Sequence, residues 1–302
     1  MSQLDPRAIF ALIAAQVPND LHDHLLIIGS LAAAYHYRER LLVDTVNTKD
    51  ADVVVQPAGA LDECRIIATR LLDAGWERRR GCVPAKTSDA VDGHHVIRLH
   101  PPGTDLYFVE LLAFPDDQQQ VPKQWIPIEL ADGWYALPAF QHLRLVALEQ
   151  RTSEEGVHYA APEMMALSNL LAHPTIEEKK RITDPIDGRK LLRSAKDLGR
   201  VLALARLADR ADVEAWPAIW EKALRAKYPE TEVPGLGARA GDGIRALLSH
   251  REAFEDAHFA VDVGLLRGHA VSVDQLRAIA EQLLADALDP LVELTARPTR
   301  AT

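Results

Sequence analysis

The stretch "LLIIGSLAAAYHYRERLLVDTVNTKDADVVVQP", residues 25–57, decides how the rest of the chain is read. One apolar run ends in Gly29-Ser30, a helix-like stretch follows, and a second apolar run opens with Asp50 and Asp52. Side chains alternate along a strand, so these two carboxylates leave the same face of "DADVVV". Two acids held together disfavour each other's ionisation unless a cation compensates, and magnesium, a hard ion that seeks oxygen ligands, is the natural candidate.

Gly29 ends a strand where the backbone can approach a ligand, and Ser30 opens a helix whose N–H groups and dipole favour phosphate oxygens. A third acid, Glu110, stands inside the apolar run "LYFVELLAF", where an unpaired charge is costly. Two partners are open to it. It can share metal with Asp50 and Asp52, closing a three-carboxylate cluster for two magnesium ions, one activating a nucleophile and one clamping a nucleoside triphosphate. It can instead pair with an arginine on a neighbouring strand, such as Arg98. Metal-carrying acids, a phosphate-binding helix start and a third acid together amount to a phosphoryl or nucleotidyl transfer site.

Working outward, the 302 residues are 48% hydrophobic and 26% charged, which predicts a folded chain with a sizeable core. No apolar run reaches the roughly 18 residues a membrane span needs, so none is expected. The amino terminus lacks the basic start and small-residue cleavage site of a secretory signal. Cys64 and Cys82 are the two cysteines, and neither has zinc-ligand spacing, which fits a reducing cytoplasm. A formal charge of −10 argues against a general nucleic-acid coat but leaves room for a local basic patch.

The pattern predicts an α+β fold, a small mixed sheet flanked by helices and followed by a helical region, with domains at 1–137 and 138–302. Helices are expected over 6–16, 31–42 and 61–74, and strands over 24–28, 51–55, 94–100 and 105–114. A polar connection over 115–125 leads to a hairpin turning at Ala131-Asp132-Gly133. Further helices are expected over 138–151, 162–172, 188–208, 213–227, 244–259 and 273–288.

Gly29-Ser30, a helix, Thr48-Lys49-Asp50-Ala51-Asp52 entering an apolar strand, and an acid in a later strand together resemble the nucleotidyltransferase superfamily with the polymerase-β-type fold. Within it the chain looks most like the bacterial minimal and AbiEii-like members. The resemblance covers roughly residues 24–115. It implies that Gly29, Ser30 and Lys49 bind nucleotide and that Asp50, Asp52 and Glu110 are catalytic residues and metal ligands for magnesium, two ions in all. It further implies transfer of a nucleoside monophosphate from a nucleoside triphosphate (NTP) to a hydroxyl of tRNA or of a protein, with a cognate toxin or antitoxin as partner. Three departures stand out. The segment between Ser30 and Asp50 is longer than usual, which places an inserted loop around "LLVDTVN". The third acid is Glu110 where Asp is commoner, with Asp105 as an alternative. Ser168 and Asn169 stand in the region where some members carry a lysine. These departures keep two other readings open: an inactive nucleotidyltransferase-like binding or antitoxin module, and an enzyme that modifies small molecules such as antibiotics.

Arg189, Arg193, Lys196 and Arg200 recur at steps of four, three and four, which predicts a basic stripe on one helix face. Such a stripe suits an acceptor or phosphate contact, or a solvated face paired with neighbouring acids. His94 and His95 point to opposite faces if they lie on a strand, and Trp125, Trp134, Trp216 and Trp220 read as packing residues.

Overall fold

The computed structural model describes residues 3–115 and 122–297. Most of the polar connection expected over 115–125 therefore lies outside the described residues. The chain divides into two compact units, one of residues 1–36 and 44–161, the other of residues 37–43 and 162–302.

The first unit contains β1 (Gln3–Leu4), α1 (Pro6–Gln16), β2 (Leu25–Ile28), α2 (Gly29–His36), β3 (Val46–Asn47), β4 (Asp50–Val55), α3 (Leu61–Asp73), β5 (Glu77–Arg78), β6 (Arg98–His100), β7 (Phe108–Ala113), β8 (Lys123–Leu130), β9 (Gly133–Phe140), β10 (Arg151–Thr152) and β11 (His158–Tyr159). Seven strands form one mixed sheet in the order β10-β11-β2-β4-β7-β6-β5, and β8 with β9 forms a separate hairpin. The second unit holds α4 (Pro162–Ala172), α5 (Arg193–Leu207), α6 (Arg210–Lys227), α7 (Val233–Ala240), α8 (Asp242–Ser249), α9 (Arg251–Val263), α10 (Val273–Leu283) and α11 (Asp289–Ala296). The α+β class with a helical carboxy-terminal region is thus as expected.

Local chemistry explains the best-defined elements. Asp5 caps α1 by accepting from the N–H groups of Arg7 (2.9 Å) and Ala8 (3.4 Å), and Pro6 supplies the first turn with its preset φ. Ile9, Phe10 and Ile13 are buried, and Phe10 stacks on Tyr35 of α2 with ring centroids 4.1 Å apart. In α3, Cys64, Ile67, Ala68 and Leu71 form a buried stripe at helical spacing. Burying Ile67 and Leu71 stabilises the unit by about 1.5–3 kcal/mol each.

Several expectations are corrected. The helix read over 31–42 stops at His36, because residues 37–43 join the second unit, where the Arg40 guanidinium donates to Leu207 O (2.6 Å) and to Asp209 Oδ2 (2.5 Å). The inserted loop expected around "LLVDTVN" is a loop that ends in β3, which pairs with β1. The helix read over 138–151 is replaced by the end of β9, a short 3-10 turn and β10, with Glu149 at φ 53°. Pairing with β8 carries β9 through Pro138 to Phe140, so sheet registry overrides the helical spacing of the leucines that follow. β10 and β11 then return to the sheet, β11 lying parallel to β2, and the units divide at Ala161/Pro162 rather than at 137/138.

In the second unit, α5 begins at Arg193 rather than at Gly188. Residues 181–192 form a turn closed by Arg181–Leu192 and Ile186–Arg189 bridges, with Asp187 and Gly188 at φ 42° and 79°. Gly199 lets α5 approach α9 closely, since a Cβ there would sit 2.9 Å from Ala257 O. The helix read over 244–259 is two helices broken at His250, and the one read over 273–288 is α10 followed by a π-type turn over Leu284–Leu288. Trp220 is fully buried, and its indole N–H donates to Glu163 O at 2.8 Å. Among the described residues no helix is long and apolar enough to cross a membrane.

Candidate functional site

β4 lies between β2 and β7, antiparallel to the first and parallel to the second. Its alternation puts Asp50 and Asp52 on a half-buried face, while Ala51 and Val53 are buried on the other. Asp52 is the register partner of Ile28 on β2 and of Glu110 on β7. Asp50, Asp52 and Glu110 therefore share one face of two adjacent strands whose backbones run about 4.8 Å apart.

Gly29 follows Ile28 at once, with φ +75°, in the left-handed region that a side chain disfavours. A Cβ at this position would lie 3.0 Å from Asp52 Oδ2, so the strand-to-helix turn is drawn tight against that carboxylate. Half-buried Ser30 stands in the first turn of α2. The Thr48 hydroxyl donates to Asp50 Oδ1 at 2.6 Å and so fixes the first carboxylate. Sequence reasoning gave Thr48 no separate role, although a threonine two residues before an aspartate has the spacing for such a local bond. The Lys49 carbonyl accepts from Phe108 N–H at 2.9 Å, which ties the entry of β4 to that of β7, and its side chain makes no ion pair among the described residues.

Of the two partners open to Glu110, Arg98 is present. Arg98 on β6 is the register partner of Glu110 on β7, and its Nε donates to Glu110 Oε2 at 2.8 Å. Burial pulls the Arg98 guanidinium down, but the hydrogen bond and charge of Glu110, with smaller contributions from Cys82 and Asp50, outweigh it and leave the group above its ordinary value. Among the described residues no three His, Cys, Asp or Glu side chains are grouped to hold a metal ion. Asp50 and Asp52 are the two carboxylates that β4 contributes to this face, and Glu110 Oε2 accepts from the Arg98 guanidinium. Asp105, the alternative acid, lies in an exposed loop ahead of β7.

The four basic residues read as one stripe are not on one helix. Arg189 precedes α5 and pairs with buried Asp256 at 3.1 Å. Arg193 and Arg200 flank buried Asp197 at 3.3 and 3.7 Å, and Lys196 adds its charge to the same carboxylate. Burial pushes the Asp197 carboxyl up, yet the His173 hydrogen bond at 3.0 Å and the charges of Arg193, Arg200 and Lys196 hold it well below the usual carboxylate range. Arg189, Arg193 and Arg200 are thus paired with neighbouring acids, and the Arg189 and Arg193 side chains stay about half exposed. Asn169 is a half-buried residue of α4 whose carbonyl accepts from His173 N–H, and Ser168 lies beside it.

Compared with known proteins, the chain matches no family model, no curated protein and no solved structure. The functional reading rests on the residues themselves.

Proposed function

We propose that the first unit is a nucleotidyltransferase-type domain that binds a magnesium nucleoside triphosphate and transfers the nucleoside monophosphate to an acceptor hydroxyl. The observation that carries the reading is the register: Asp52 sits between the Ile28-Gly29 turn on one strand and Glu110 on the next. Asp50 and Asp52 would hold the ion, with Asp50 oriented by Thr48. When bound, magnesium supplies charge neutralisation on the phosphates and a template for in-line displacement. Gly29 admits the phosphates close to the backbone, and Ser30 with the first turn of α2 donates hydrogen bonds to their oxygens. The acceptor oxygen bonds to the α-phosphorus as the bond to the bridging oxygen breaks; pyrophosphate leaves, and the acceptor proton passes to solvent. The acceptor class is a tRNA end or a protein side chain in a toxin–antitoxin or defence setting, in the cytoplasm where both are found.

A second reading draws on one observation. The Arg98–Glu110 ion pair removes a carboxylate from the metal set, which favours a domain that binds nucleotide without turnover and acts as a partner module. Purified protein incubated with each α-labelled triphosphate, magnesium and either total tRNA or cell lysate separates the two. The transferase reading expects label in macromolecules with the wild type and none with Asp52→Asn. Label that persists in Asp52→Asn defeats the assigned site, and triphosphate binding without label in any sample favours the partner module.

A further inference from the structure

Asp52, Glu110 and Arg98 are successive register partners on β4, β7 and β6, so a row of charge crosses three neighbouring strands, with Asp50 two residues from Asp52 on the same face. The row contains its own cation. Glu110 is 8% exposed and accepts from Arg98 Nε, while the Arg98 side chain is 30% exposed. A guanidinium presents five N–H donors, and only Nε is engaged by hydrogen bonding among the described residues. Its flank is fixed as well: the group lies 5.5 Å from the Phe108 ring centroid, and Arg98 O accepts from Arg79 N–H at 2.8 Å. The head is therefore held through Nε, with Nη1 and Nη2 outside that hydrogen bond.

We infer that Arg98 is a resident cation standing in for one of two metal ions, so that the site takes a single divalent ion at Asp50 and Asp52 and uses the two Nη groups to hold phosphate oxygens of the triphosphate. The inference rests on the nucleotidyltransferase reading of the same face. Three carboxylates on one face need positive charge, and a side chain anchored in the sheet supplies it at every metal concentration. Arg98 Nε occupies Glu110 Oε2, and the guanidinium charge beside that carboxylate opposes a second cation there. Guanidinium pairs readily with phosphate through two parallel N–H bonds, which is the contact left available once Nε is used. Arg98 is a positioning residue for Glu110 and a binding residue for the triphosphate.

The test counts ions. Mn2+ binding to the full chain is followed by electron paramagnetic resonance in the presence of each of four triphosphate analogues with a methylene α,β-bridge. Expected are one Mn2+ per chain in the wild type and two in Arg98→Met, which releases Glu110. Two ions in the wild type, or one in a folded Arg98→Met, overturns the inference and leaves the nucleotidyltransferase reading standing. No Mn2+ bound by the wild type with any analogue overturns that reading itself. If Arg98→Met does not fold, the wild-type count decides: two ions place Glu110 in the metal set and defeat the proposal. Without divalent ions, Arg98→Met is expected to weaken analogue binding about tenfold relative to the wild type, as for lost hydrogen bonds to a charged group. Equal binding overturns the phosphate contact.

Discussion

Replacing Gly29 by alanine tests whether the turn against Asp52 matters. Gly29 has φ +75°, and holding an L-residue there costs about 1–2 kcal/mol. The new methyl would stand 3.0 Å from Asp52 Oδ2, so the carboxylate must give by a few tenths of an ångström. The two effects separate. Gly29→Asn adds the same Cβ but tolerates the left-handed conformation better. Hydrogen exchange over peptides spanning residues 25–55 should show Gly29→Ala destabilised by about 1–2 kcal/mol and Gly29→Asn by less. Mn2+ affinity should fall in both, because both move the same carboxylate. A Gly29→Ala protein with unchanged exchange and unchanged Mn2+ affinity would refute the idea that this close approach shapes the site.

In the second unit, Asp197→Asn removes the charge that answers His173, Arg193 and Arg200, and should cost about 2–3 kcal/mol in urea unfolding near neutral pH, as for lost charge-assisted hydrogen bonds. Because the folded carboxyl lies well below its ordinary value of 3.8, its contribution is fully present above that value and disappears as pH falls through the lower folded value. The variant should accordingly lose less stability than the wild type on acidification below about pH 4, and parallel acid profiles would contradict the assignment. Asp256→Ala strips the acceptor from buried Leu192 N–H (2.8 Å) and should destabilise the turn over 181–192 by about 1–3 kcal/mol, seen as faster proteolysis there. Unaltered cleavage would show that the turn is held by other means.

The sequence was most readable where local chemistry and tertiary demand agree. α1 and α4 begin at Pro6 and Pro162 and end where the apolar spacing ends, and both match their expected bounds. The helix expected over 138–151 failed for the opposite reason: its leucines have helical spacing, but the strand pairing of β9 with β8 lies outside any local window. Likewise β10 and β11 are two residues each, too short for an alternation to register, yet they move the division between units to Pro162. At the site, strand alternation was enough to place Asp50 and Asp52 on one face. What it could not supply was strand order, which sets Glu110 between Asp52 and Arg98 and gives it an ion-pair partner. The stripe is shorter than read because α5 starts at Arg193, which leaves Arg189 outside it, and the carboxylate of Asp256 that pairs with Arg189 comes from a position a local window does not reveal.

The excursion of residues 37–43 into the second unit bears on how the protein is made. Arg40 and its acceptor Asp209 are 169 positions apart. At synthesis rates of about 5–20 residues per second, the short segment emerges roughly 10–30 s before its acceptor exists. The first unit can gather its strands from the ribosome in the meantime, but the joint in its middle stays unfinished until the chain is two-thirds complete. A product that ends before residue 209 lacks that closure altogether, and an unanchored loop of this kind is where proteases nick and cellular quality control begins.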